Sequence, residues 1–499
     1  MLTEAESAAS TQPASRNIKV YIHACIIVGI MIVAHFIPAP APITPLGMQI
    51  IGIFVGMIWG WCTCGMLWPS IIGIVMLGMT DYAASPEAAL GMVLTHNTVI
   101  SMFVAFIVLA YVNNSGLMNV IAQWLVTRRF AAGKPWLFMT FFFTMLMLIA
   151  GVFNGVILII IAFNFILPVL KEMGYTKEDA LPTYMLLGIA LFAGMGTVWP
   201  PFLPHSLFTR GILATALGAP LTALQYFVCI DIPLFVCFAL YVLMGKFIVR
   251  VDTKKFVAGT EILLAKADAE EKKPLTSEQK GGAILLTIFV LSLAIPAILP
   301  TTWAPVALLN RFGLIGVSLT LTVALLVLQS KDGKPLAEFA HLVSTGVDWN
   351  MFFLTGGIMI IAAALTSEGT GIATAMAMYL VPVVSKASII AFVAIIIIAL
   401  CIFSQFSMNM VLQMVFAPIL APILLASGYN PLIAVMAVYF GTQLAFLAPS
   451  GSMMAAMVFA KSDWVKPSHI YKICVPWIIV SMAAFIIMSL VLPDLVYTF

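Results

Sequence analysis

Two asparagines stand 255 positions apart in stretches that carry no other sign of polarity at full charge. Asn154 lies in Gly151-Val152-Phe153-Asn154-Gly155, within residues 135–170, which contain no Asp, Glu, Lys or Arg. Asn409 closes Ser404-Gln405-Phe406-Ser407-Met408-Asn409, within 388–427, which is equally uncharged. An amide in an apolar segment is costly unless it bonds to protein or lines a cavity. A single such Asn commonly joins helices; a pair at equivalent places points to a ligand site. Two further places break long apolar runs with Gly and Pro: Gly194-Met195-Gly196-Thr197-Val198-Trp199-Pro200-Pro201 and Ala448-Pro449-Ser450-Gly451-Ser452. A break frees carbonyls that can ligate a cation and exposes helix N-termini that favour an anion. The chemistry available is therefore ion binding rather than bond making.

Other polar residues read as structural. His96 and Asn97 read as the capped start of a long helix, and Asp348 and Glu368 as span boundaries. Arg210, near His205, could draw an anion inward but reads rather as an interface residue reaching out of the apolar layer. Gln413 suits either helix contact or cavity lining. No P-loop, no Ser-His-Asp setting and no His/Cys/carboxylate cluster is found, so the chain does not read as an enzyme, and no cofactor or tightly held metal is expected. The seven cysteines lie in or beside apolar stretches and read as packing residues.

The elements that would position these residues follow from composition. Of 499 residues, 63% are hydrophobic and 9% charged, with a mean hydropathy of +1.12. Soluble domains carry roughly a quarter charged residues, so the solvent is the lipid bilayer. A net charge of +3 without a basic tract excludes nucleic acid as a partner. The pattern predicts an all-α polytopic membrane protein with about eleven transmembrane helices, about 20 apolar residues being needed per crossing, plus two re-entrant hairpins at 135–170 and 388–427. Residues 1–45 form the N-terminal tail and first helix, with 20–37 an uncleaved span. Residues 46–249 form one membrane repeat, 250–280 a hydrophilic cytoplasmic linker, and 281–499 a second repeat. With the N-terminus inside, all 23 Lys and Arg except Arg210, Arg311 and Lys386 fall on the inner side.

The repeat shows in spacing. Asn97 and Asn350, Gly116 and Gly369, Pro168 and Pro422, Gly174 and Gly428, Tyr175 and Tyr429, Tyr184 and Tyr439, and Gly196 and Gly451 all recur 253 to 255 positions apart, as do the two Asn. Each repeat makes an odd number of crossings, so the second is inverted. Inverted repeats with interrupted spans mark secondary transporters.

With these features the chain resembles the divalent anion/sodium symporter family of the ion transporter superfamily, over most of 46–494. The order hairpin, break, hairpin, break and the basic linker carry the resemblance. So do Ser404-Gln405-Phe406-Ser407-Met408-Asn409 with Pro418, which looks like the second tip signature, and Asn113-Asn114-Ser115-Gly116-Leu117. The family has Ser-Asn-Thr at both tips; here the triplets are Phe153-Asn154-Gly155 and Met408-Asn409-Met410, so both Asn remain and the flanking hydroxyls are absent. The resemblance implies sodium-coupled symport of small organic anions, di- or monocarboxylates, across the inner membrane by a homodimer. It places substrate at Asn154, Gly155, Asn409, Met410, Pro449 and Ser450, and sodium at Asn154, Gly196, Thr197, Ser407, Asn409 and Gly451. The apolar flanks imply that monocarboxylates or larger organic anions bind better than sulfate. Proton coupling, or dependence on an external binding protein, is the nearest alternative. A membrane enzyme acting on a lipid-linked substrate and a channel are more distant ones.

Overall fold

The computed structural model describes residues 18–117, 120–121, 134–152, 155–258, 274–300, 302–329, 333–384, 388–407 and 409–496. Asn154, Phe153 and Met408 lie outside them.

Helices dominate, and among the described residues the one β-type pairing is an isolated bridge between Gln329 and Pro335. The first half runs α1 (Ile18–Val33), α2 (Pro45–Thr63), α3 (Leu67–Gly78), α4 (Pro86–Thr95), α5 (Asn97–Asn114), α6 (Pro135–Ala150), α7 (Gly155–Glu172), α8 (Ala180–Met195), α9 (Pro204–Leu217) and α10 (Ala223–Val249). The second runs α11 (Ser277–Ile298), α12 (Ala304–Val327), α13 (Phe339–Gly346), α14 (Trp349–Thr366), α15 (Ile372–Val384), α16 (Ile389–Phe403), α17 (Asn409–Ala426), α18 (Pro431–Gln443), α19 (Met453–Phe459) and α20 (Pro467–Val491). Nine described helices are long and apolar enough to cross a membrane, and shorter apolar helices complete the set.

Local chemistry starts many of them. Thr44, Ser85 and Asn430 each accept a backbone N–H of the following turn, and each precedes a Pro at the first helical position. That pairing satisfies an orphan donor and presets the backbone dihedral. Asp348 caps α14 through the Met351 N–H at 3.1 Å, as its boundary reading requires. His96 and Asn97 do start α5, but without a side-chain cap. Residues 349–384 divide into α14 and α15 around Gly371, which takes φ of 66°.

The repeat is visible at the hairpin ends. Gly174 and Gly428 take φ of 75° and 80° after α7 and α17. Tyr175 N–H then bonds the Leu170 carbonyl and Tyr429 N–H the Leu424 carbonyl, each at 2.9 Å. This is a left-handed helix stop, built identically twice. The matched helices α8 and α18 form the centre: every residue from Leu181 to Ala193 and from Pro431 to Thr442 is buried. A helix apolar on all sides belongs inside a bundle. By contrast α11 and α12 are only 17% and 22% buried along their spans and form the periphery.

Charged loops gather on one side. Lys255 bonds Asp179 at 2.9 Å, and Lys466 pairs with Glu178. The start of the linker, the loop after the first hairpin and the loop before α20 therefore share a face.

Candidate functional site

Each hairpin tip is pressed onto the break of its own repeat. In the first, α6 and α7 both pack on α8. A Cβ on Gly151 would fall on the Trp199 carbonyl oxygen, and one on Gly196 would lie 2.7 Å from the Met147 carbonyl oxygen. The absence of side chains there is what lets tip and break touch backbone to backbone. Gly155 lies against the Ala193 carbonyl and the Thr197 methyl. Thr197 sits in the 3₁₀ turn Gly196–Val198 and donates its hydroxyl to the Gly194 carbonyl at 2.8 Å. Gly155, Gly196 and Thr197 are thus brought together.

The second repeat makes the same junction with side chains. Gln405 is buried at the tip and uses its amide three times. Nε2 donates to the Cys401 carbonyl at 2.8 Å and to the Leu444 carbonyl at 3.0 Å; Oε1 accepts the Leu447 N–H at 2.9 Å. Ser450 donates to the Gln405 carbonyl at 2.7 Å. Ser452 caps α19 by accepting the Ala455 N–H at 3.0 Å. Gly451 packs on the Ala445 carbonyl, and Pro449 lies between. Ser450, Pro449 and Gly451 therefore stand at the tip that carries Ser407, Asn409 and Met410.

Asn409 opens α17, and its Oδ1 is buried without a partner among the described residues. Buried amide oxygens are normally satisfied, which sets this acceptor apart. Among the described residues the Ser407 hydroxyl meets the Cys62 sulfur, at 3.9 Å, a weak contact. Met410 is half-buried. Gln413 donates to Thr442 at 2.8 Å, which settles it as a helix contact.

The two junctions face each other. Beyond the breaks, α9 packs on α17, and α19 packs on α7 and α8. Gly194 of the first break lies against Met454 of α19. The Asn154 side of the site lies outside the described residues.

Two features were missed or misread. Arg210 does not reach out to an interface: it is turned inward, donating to the Pro201 carbonyl at 2.9 Å and the Leu221 carbonyl at 2.6 Å. The folded loops on both sides of α9 supply those acceptors, and the sequence pattern gives no sign of them. Asp231 is 1% exposed, and among the described residues neither carboxylate oxygen has a hydrogen-bond partner. It ends a π-helical turn, Phe227–Asp231, a feature common at functional sites. Arg210, Tyr226 and Tyr439 lie within its electrostatic reach, and Tyr226 donates to the Val198 carbonyl of the first break at 3.2 Å. Asp231 is the only acidic residue in 222–249, and that alone could have flagged it.

Comparison with known proteins adds a family. The citrate transporter family matches residues 54–441. No curated protein matches significantly. Among solved structures, the YdaH transporter of Alcanivorax borkumensis aligns with a TM-score of 0.52 at 12% identity, over 96% of this chain and 98% of that one. MtrF of Neisseria gonorrhoeae, described within a class of antimetabolite efflux pumps, aligns with a TM-score of 0.51 at 14% identity, over 95% and 94%. At these identities the likeness is one of fold.

Proposed function

Since the chain belongs to the citrate transporter family, within the ion transporter superfamily, and is a secondary transporter rather than an enzyme, we propose that it couples sodium to the uptake of a small organic anion. Carboxylates are the substrate class, with citrate, named by the family, first among them. The single observation that carries this reading is the unsatisfied Oδ1 of Asn409 at the start of α17, beside a break locked by Gln405 and Ser450. An amide oxygen and freed break carbonyls suit a small hard cation. The N-terminal N–H groups of an 18-residue helix suit a carboxylate. Bound together, the two charges offset one another, which makes their joint passage less costly than that of either alone. Phe153, Met408 and Met410, next to the two Asn in sequence, favour an anion with a carbon skeleton over sulfate.

The carrier resides in the inner membrane with its N-terminus and linker in the cytoplasm, and works as a homodimer. The ion-paired face formed by the linker and neighbouring loops supports this orientation. A thermal-shift screen of the purified protein against citrate, succinate, a monocarboxylate and sulfate, with and without sodium, tests the reading. Stabilisation by an organic anion that grows with sodium is expected; stabilisation by sulfate alone contradicts it.

Asp231 favours a second coupling scheme. An ionisable group inside a span is expensive and marks proton or ion paths. Its neighbours Tyr226 and Arg210 both bond to carbonyls of the first break. A proton moving on and off Asp231 would act on the same break that flanks the substrate site.

A further inference from the structure

Arg210 stands midway along α9 and spans both ends of that helix by hydrogen bonds: to Pro201 in the first break and to Leu221 in the loop beyond. A guanidinium has five N–H donors in one plane. Among the described residues two are used, and the buried Nε has no partner. Among the described residues no carboxylate forms an ion pair with it. Asp231, whose field reaches it, makes no hydrogen bond at either oxygen among the described residues.

Beside this cation is a cavity of about 330 Å³. Asn97, Thr98 and Ser101, from the first turns of α5, supply an amide and two hydroxyls to its lining. The opposite wall is α12 at Gly313, where the helix bends with φ of 56°. Gly211 brings α9 close enough to α5 that a Cβ there would lie 2.5 Å from the Thr98 methyl. A partly buried cation with spare donors, a set of neutral donors and an apolar wall therefore share one chamber of small-molecule size. None of the hairpin-tip residues lines it.

We infer that this chamber is a second carboxylate site, separate from the hairpin–break site. Arg210 holds the carboxylate by its planar fork, and Asn97, Thr98 and Ser101 donate to the lone pairs its two oxygens keep free. The fork matches a carboxylate in two parallel bonds, and a cation with no carboxylate bonded to it among the described residues, beside apolar walls, suits a small organic acid. Because Arg210 also holds the Pro201 carbonyl, occupation of the chamber is felt at the first break.

Equilibrium dialysis of the detergent-purified full chain against labelled citrate tests this. The wild type binds two citrates per chain. Arg210→Gln weakens one site by about tenfold or more, as loss of a charged hydrogen bond implies, and Asn409→Ala removes the other. Asn97→Leu, at an exposed position, lowers the affinity of the same site as Arg210→Gln while keeping the charge, so the inference is tested even where Arg210→Gln fails to fold. A single site lost in Asn409→Ala and unchanged in Arg210→Gln or Asn97→Leu overturns the inference. A single site lost in Arg210→Gln and Asn97→Leu and unchanged in Asn409→Ala upholds it and overturns the hairpin–break reading instead.

Discussion

Ser450 donates its hydroxyl hydrogen to the backbone carbonyl of Gln405 at 2.7 Å, joining the second break to the second hairpin tip across 45 residues of chain. The Gln405 side chain returns the link through the Leu444 carbonyl and the Leu447 N–H. Gln405→Leu leaves those two buried backbone groups unpaired, at about 1–3 kcal/mol each. Ser450→Ala removes one hydrogen bond, worth about 1 kcal/mol. Melting temperatures in detergent should therefore fall clearly more for Gln405→Leu than for Ser450→Ala. Equal losses would mean that the amide does not hold the junction.

Among the described residues, the first junction is closed by backbone-to-backbone approach at Gly151 and Gly196. Gly151→Ala drives a methyl group into the Trp199 carbonyl, where neither backbone can yield. Gly174→Ala meets nothing within 4 Å and suffers only its left-handed dihedral, about 1–2 kcal/mol. Gly174→Ala should reach the membrane and retain uptake, whereas Gly151→Ala should lose it. Fluorescence-detected size-exclusion chromatography with parallel uptake assays reads both.

Asp231→Asn preserves shape and removes the exchangeable proton. Under proton coupling, uptake by this variant no longer responds to an imposed inward proton gradient, while citrate binding by dialysis stays within about threefold of wild type. A gradient response equal to that of wild type would remove Asp231 from the coupling scheme.

The membrane class, the hairpins and the repeat were legible because lipid imposes them on composition and spacing. Gly174 with Tyr175 and Gly428 with Tyr429 recur in sequence and fold into the same stop. The tip of the second hairpin was legible as a site, but not the means that holds it: the partners of Gln405 lie some forty residues onward, and no periodicity links them. Arg210 illustrates the opposite failure. Its surroundings in sequence suit an outward-reaching cation, and only the folding of the 200–203 and 218–222 loops turns it inward. Asp231 was overlooked amid apolar neighbours although its charge alone was a signal.

On the charged face, Asp179 has a carboxyl that burial pushes up and that bonds from Lys255 and Thr176 pull down further, leaving it below its ordinary value. A lowered carboxyl binds fewer protons in the folded state, so its stabilising effect is present above the ordinary pKa of about 4 and disappears as pH falls through the lowered value. The difference in melting temperature between wild type and Lys255→Gln should therefore shrink as pH drops from about 6 towards about 3. A difference that widens on acidification would contradict the pairing.

If the two hairpin asparagines, one per repeat, bind the transported anion with sodium, sodium-driven uptake needs both. Uptake of labelled citrate into proteoliposomes, driven by an inward sodium gradient, tests it most directly. Wild type should accumulate citrate only with the gradient, with unlabelled organic acids competing better than sulfate. Asn154→Ala and Asn409→Ala, reconstituted at equal density, should each remain at the protein-free background. Normal sodium-driven uptake by both variants would contradict the account and place the transport site elsewhere in the fold.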